Sequence, residues 1–154
     1  MANSNIRWYC KPFGGLSVRE LFDALRLRAD VFVVEQHCAY ADPDALDQHS
    51  HHLFGYDGDR LAAYARIVPP AARFAEPSIG RVVTASTHRS SGIGRALMHR
   101  AIAETHLLHP LQSIRISAQH YLLAFYTSLG FTPCSAIYDE DGIPHIEMLL
   151  TYST

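Results

Sequence analysis

Thr87–Glu104 reads THRSSGIGRALMHRAIAE, and two glycines one residue apart open a segment that continues with helix periodicity. Glycine inside a helix costs about 1 kcal/mol relative to alanine, so Gly92 and Gly94 at a helix start imply a need for bare backbone there. Ile93, Leu97, Ala101 and Ile102 mark the face this helix buries, and Pro110 ends it. A strand, a short loop and a Gly-x-Gly helix start aim several free N–H groups at one point, where the helix dipole also favours negative charge. That is a site for phosphate. Tight helix–strand packing uses glycines too, and the bare pattern does not separate the two readings. Two phosphate motifs are excluded: the Gly-Lys-Ser/Thr of a Walker loop is missing, and the third glycine of a dinucleotide fingerprint would fall at Leu97.

Upstream of the glycines, Ile79 to Thr84 reads as a strand. Before it, His52 to Tyr56 and Leu61 to Val68 flank Asp57-Gly58, a hairpin turn signal, and Pro69-Pro70 closes the second strand. Nearer the N-terminus, Ile6 to Cys10 is strand-like, and Ser17 with Glu20 three residues on forms a capping box for a helix, with Leu16 and Leu21 as its hydrophobic staple. Leu21, Phe22, Leu25 and Phe32 lie near one face, which is expected to pack on a sheet. Glu35 to His52 is polar, contains Pro43 and has no sustained period; it reads as a long loop with at most one helical turn. Downstream come a strand from Ser113 to Ser117, a helix from about Tyr121 to Leu129 stopped by Gly130, and two strands around Asp141-Gly142. Hairpins mixed with one strand–helix–strand crossover define an α+β fold. The expectation is a single domain over residues 1–154, with a central mixed, mostly antiparallel sheet of about six to seven strands and helices on both faces.

Composition narrows the partner. The chain is 48% apolar and 18% charged with a formal charge of −2, which gives no reason to expect nucleic acid and points to a small ligand. Lys11 is the one lysine among 13 basic residues, and the arginines form no polybasic block. No apolar run approaches the ~18 residues of a membrane span. Cys10, Cys38 and Cys134 are odd in number and lack C-x-x-C spacing, and the N-terminus has no secretory h-region, so a reducing cytoplasm is expected.

VVTASTHRSSGIGRALM resembles the acetyl-CoA motif of the GNAT superfamily of N-acetyltransferases, with Arg89-x-x-Gly92-x-Gly94 matching its R/Q-x-x-G-x-G/A. SAQHYLLAFYTSLGF, at the expected distance, resembles the family's second cofactor segment. RLRADVFVVEQHCAYADPDALDQHSHHL, AYARIVPP and DEDGIPHIEMLL look like the ElaA subfamily, so the resemblance covers nearly the whole chain. It implies a GNAT fold in which the strand before the glycine loop splays from its neighbour. Val82, Val83 and Thr84 would then pair with pantetheine as an added strand would. The N–H groups of Ser90, Ser91, Gly92, Ile93, Gly94 and Arg95 would hold the diphosphate, with Arg89 and Arg95 adding charge. Gln119 stands where the family has asparagine. Tyr126 matches the tyrosine that protonates the departing CoA thiolate. The implied cosubstrate is acetyl-CoA, the partner a small-molecule or peptide amine, and a homodimer is compatible with the fold.

An alkyl ammonium with pKa near 10.4 must lose a proton before attack, at a cost of about 4–5 kcal/mol at neutral pH. Many members of this family carry a glutamate for this on the strand before the glycine loop, but here Arg81 is the ionisable residue of SIGRVV. Replacement candidates at the acceptor site are Glu35, in a loop that covers that site in the family, His52, and the pair His145 and Glu147, which share one face of a strand. Of these, Glu35 is preferred as the base. His49 to His52 with Asp42, Asp44 and Asp47 resembles a metal site in composition only. Adjacent His51 and His52 do not converge easily, the chemistry requires no metal, and a solvated acidic loop is the expected reading. Cys134 reads as packing rather than as a nucleophile. Two other functions share these features: a non-catalytic CoA-binding or sensing module, and an acyl-homoserine-lactone synthase, against which the intact R-x-x-G-x-G argues.

Overall fold

A computed structural model describes residues 5–153. Among them the strands are β1 (Arg7–Pro12), β2 (His51–Asp57), β3 (Arg60–Val68), β4 (Ser78–Thr84), β5 (Ile114–Gln119), β6 (Thr132–Pro133), β7 (Tyr138–Glu140) and β8 (Ile143–Leu150). They form one sheet in the order β1-β2-β3-β4-β5-β8-β6, with β7 also on β8. The one strand beyond those expected is the two-residue β6, too short to show a period, while β7 and β8 are the two strands expected around Asp141-Gly142. The α+β expectation otherwise holds: neighbours are antiparallel except β4 and β5.

Strand alternation divides the core. Leu53, Ala63 and Ala65 face a cluster built on helix α2 (Ile93–Leu108), where Ile93, Leu97, Met98 and Ala101 are buried. Their neighbours in sequence, Phe54 and Tyr64, face the opposite side, where helix α1 (Val18–Arg28) packs. The short helix α3 (Leu123–Ser128) joins the α2 side through Tyr126.

Ser17 caps α1 as expected: its Oγ accepts from the Glu20 N–H while Glu20 accepts from the Ser17 N–H. The buried face differs from expectation. Phe22 is 59% exposed, and the helix buries Glu20, Ala24, Leu27 and Arg28 instead. Two of those are charged, so an apolar stripe drawn without them rotates to the wrong side. Glu20 is stabilised by Ser17, Tyr9 and Lys11, which overcome the upward push of burial and hold its carboxyl at about 2. A π-helical turn, Ala29–Glu35, continues α1.

The Glu35–His52 segment is not a solvated acidic loop. Asp42 and Asp47 are buried, and the segment folds over a lock of arginines. Arg28 donates to Asp42 Oδ2 and Asp47 Oδ1, both at 2.8 Å, and Arg66 donates to Asp44 at 2.7 Å and Asp47 at 3.0 Å. Burial alone would raise the Asp47 pKa, but Arg28, the Asp44 N–H and Arg66 bring it to about 2. The arginines lie on α1 and β3, too far away in sequence to reveal the pairing.

Candidate active site

Strands β4 and β5 touch at one register pair, Ser78 with Arg115, where the Arg115 N–H donates to the Pro77 carbonyl at 3.0 Å. Beyond it they diverge. β4 carries a bulge against β3: Tyr64 faces Val83 and Arg66 faces Gly80, so Ala65 stands opposite two residues, Arg81 and Val82. A cavity of about 590 Å³ fills the gap. Val82, Val83 and Thr84 line it from β4, and Gln119 and Tyr126 from the other side.

The glycine segment lies at the end of this gap. Gly92 is the N-cap of α2 with φ +81°, a conformation that glycine adopts without penalty. Gly94 has no such backbone need. A Cβ built on it meets nothing within 4 Å, and the residue borders the cavity. The protein's own packing therefore gives no reason for glycine at 94, whereas close approach of a ligand to the first helical turn does. The first-turn N–H groups have no intrahelical acceptor. The Ile93 side chain is buried in the core, so only its backbone is available there. Ser90 has φ +65° and Ser91 Oγ donates to the His88 carbonyl, which fix the loop. Arg95 donates to Ser128 Oγ at 3.0 Å and lies over the Phe125 ring, on the exposed rim.

Tyr126 lines the cavity with its ring set edge-on to Phe125 and Phe131, and burial pushes its phenol up to about 12. Gln119 donates to Gln36 Oε1 at 3.1 Å, so this amide bridges to the end of the π-helical turn.

The four candidates for the acceptor side separate. Glu35 borders the cavity but is held by Arg89, whose guanidinium donates to both carboxylate oxygens at 2.8 and 3.3 Å and to the Thr84 carbonyl at 3.1 Å. His52 is outside the cavity lining. It is 1% exposed, with one ring nitrogen at 2.7 Å from Tyr64 Oη and the other at 2.9 Å from the Asp47 carbonyl, and burial lowers its pKa. Glu147 is also outside, because Arg115 takes it at 3.1 Å. His145 does line the cavity, but its carboxylate partner is Glu140, at 3.3 Å from Nε2, and not Glu147. Its Nδ1 donates to the Ile143 carbonyl at 2.8 Å. The one signal for Glu140 in the sequence is the Asp141-Gly142 turn, which pairs Tyr138 with His145 and brings Glu140 back alongside. Gln36 and Arg73 also line the cavity and carry no local sequence signal.

Among the described residues no three His, Cys, Asp or Glu side chains are grouped to hold a metal ion, and no helix is long and apolar enough to cross a membrane.

A splayed parallel pair joined through a glycine-started helix, within a mixed sheet covered on both faces, is the fold of the GNAT class. The chain belongs to that family: the acetyltransferase (GNAT) domain matches residues 24–152. ElaA of Escherichia coli is 40% identical over 146 residues, 93% of this chain and 95% of that protein. Its crystal structure superposes with a TM-score of 0.88, covering 94% of this chain and 98% of that one. The crystal structure of an acyl-CoA N-acyltransferase from Pseudomonas aeruginosa gives 0.90 at 40% identity, with 94% and 98% covered. A CoA-dependent acyl-homoserine lactone synthase, 18% identical, has a TM-score of 0.71 over 94% of this chain and 83% of its own, and shares the fold alone.

Proposed function

We propose that this chain transfers an acyl group, acetyl in the first instance, from acyl-CoA to a primary amine on a small molecule or peptide by direct attack. The observation that carries this reading is the β5-facing edge of β4, unpaired beyond Ser78, which shares a cavity with Gly94, where the place of a side chain is open. The amine nitrogen forms the new C–N bond as the thioester C–S bond breaks. The ammonium proton passes to the Glu140–His145 pair, in which Nδ1 is committed to the Ile143 carbonyl and Nε2 faces the Glu140 carboxylate. The departing sulfur takes a proton from Tyr126, which burial keeps protonated at any assay pH. Glu35, the base preferred from sequence, is given a different part here, because Arg89 holds it.

A second reading, a CoA-binding module without turnover, draws support from β4 itself, where Arg81 occupies the strand and faces Asp42. Release of CoA thiol from acetyl-CoA in the presence of a panel of amines separates the two. Gly94→Asp should cost more than 100-fold in CoA affinity by placing a carboxylate where the diphosphate belongs. Tyr126→Phe should lower turnover by about 10²–10⁴-fold at unchanged CoA affinity. Unaltered CoA binding by Gly94→Asp would remove the cofactor site and the function with it.

A further inference from the structure

Arg81 is the bulge residue of β4 and one of the non-glycine residues with positive φ, +49°. The left-handed region disfavours residues with a Cβ. Something outside the strand must therefore hold Arg81 there. Its side chain shows what does. Nε donates to Asp42 Oδ1 at 2.9 Å and Nη2 to the Asp42 carbonyl at 3.1 Å and Asp44 Oδ2 at 3.3 Å. The guanidinium also lies over the Tyr40 ring, 5.5 Å from its centroid. Asp42 is in turn anchored by the buried Arg28. Arg81 and Tyr40 both line the cavity.

We propose that Arg81 is a positioning residue for the transfer reaction: its pairing with Asp42 and Asp44 holds the bulge that turns β4 from β5, and fixes the Tyr40 wall of the acceptor side. One side chain thereby sets both halves of the site. Its backbone presents the Val82–Thr84 edge to the acyl-CoA arm, and its guanidinium holds the loop that faces the amine. This assignment rests on the acyl-CoA reading above.

The two parts separate by substitution, because glycine accepts the backbone conformation without the ion pairs and alanine has neither advantage. CoA affinity of Arg81→Gly, measured by calorimetry, should stay within about twofold of the wild-type protein. Arg81→Ala should bind about 5-fold to 30-fold more weakly. Arg81→Asn, which tolerates left-handed backbone, should follow glycine. For all three, kcat/KM for the amine should fall, since all release Asp42 and Tyr40. Simple loss of stability would give the same order but would lower CoA affinity and kcat/KM for the amine together, whereas Arg81→Gly is expected to lower only the second. Thermal melting of each variant establishes that it is folded, and the glycine–asparagine comparison stands even if the alanine variant is not. CoA affinity of Arg81→Ala equal to or tighter than that of Arg81→Gly would overturn the assignment, as would an asparagine variant that binds markedly more weakly than glycine. Absence of CoA binding by the wild-type protein would overturn the acyl-CoA reading and this inference together.

Discussion

Arginine meets carboxylate in two regions of this molecule under opposite conditions. Beneath the Glu35–His52 segment, Arg28 and Arg66 are each 1% exposed and close on Asp47, with Asp42 and Asp44 completing the lock. At the rim of the cleft, Arg89 and Glu35 meet at a similar distance with side chains 41% and 38% exposed. The geometry is alike and the consequence is not. A buried charge stripped of its partner keeps its desolvation cost, whereas an exposed one regains water. The lock therefore fixes architecture, even with the Arg66 Nε–H unpartnered among the described residues. The rim pair remains exchangeable, and it lies where an anionic ligand is expected.

The strongest way to break this contrast is to remove one partner from each region. Asp47→Ala leaves Arg28 and Arg66 without their shared carboxylate and should cost about 3–5 kcal/mol of unfolding free energy. Arg89→Ala should stay within about 1 kcal/mol. Urea unfolding of both variants measures the difference. A loss below about 1 kcal/mol in Asp47→Ala would mean that the lock is no more structural than the rim.

Acid sharpens the same comparison with a smaller effect. The Asp47 carboxyl lies at about 2 in the folded protein, below the ordinary value near 3.9. A depressed carboxyl pKa stabilises the fold above the unfolded value, and that stability is lost as pH falls through the folded one. Asp47 should thus contribute about 2 kcal/mol above pH 4 that disappears between about pH 4 and 2. His52 acts in the same direction at higher pH: with its pKa lowered by burial, stability is full above about 6.5 and declines as acid charges the unfolded ring. Equal pH slopes for wild-type and Asp47→Asn protein between pH 4 and 2 would contradict the Asp47 contribution.

The sequence was legible where chemistry is local. The Ser17–Glu20 capping box and the Asp57-Gly58 hairpin each lie within a few residues, and both appear as expected in the fold. What it concealed depends on distant partners. Asp42 and Asp47 looked solvated because Arg28, Arg66 and Arg81 lie 14 to 39 residues away. The α1 face was misread because an arginine and a glutamate belong to its buried stripe. Tyr126, Gln119 and the β4 edge, which their motifs single out, line one cavity. The partner of His145 was misassigned to Glu147, two residues along the strand, because the hairpin fold-back that delivers Glu140 is not a same-strand relation.

The smallest expected effect tests the exchangeable side of the comparison. Glu35 occupies Arg89 with a carboxylate, and Arg89 is already aimed at the cleft by the Thr84 carbonyl. A diphosphate arriving at the glycine loop must compete with that carboxylate for the guanidinium. An exposed pair of this kind contributes about 0.2–1 kcal/mol, so removing the competitor should strengthen CoA binding by about 1.4-fold to fivefold. Glu35→Gln keeps the size of the side chain and removes its charge. The gain should be absent for pantetheine, which has no diphosphate, and it should shrink as added salt screens the pair. Loss of a negative charge near an anionic ligand would help binding without any exchange, and the double variant distinguishes the two causes. In an Arg89→Gln background the competition no longer exists, so Glu35→Gln should add nothing, whereas simple repulsion predicts that the full gain persists. A persistent gain would show that Glu35 only repels CoA and that Arg89 is not the group the two share.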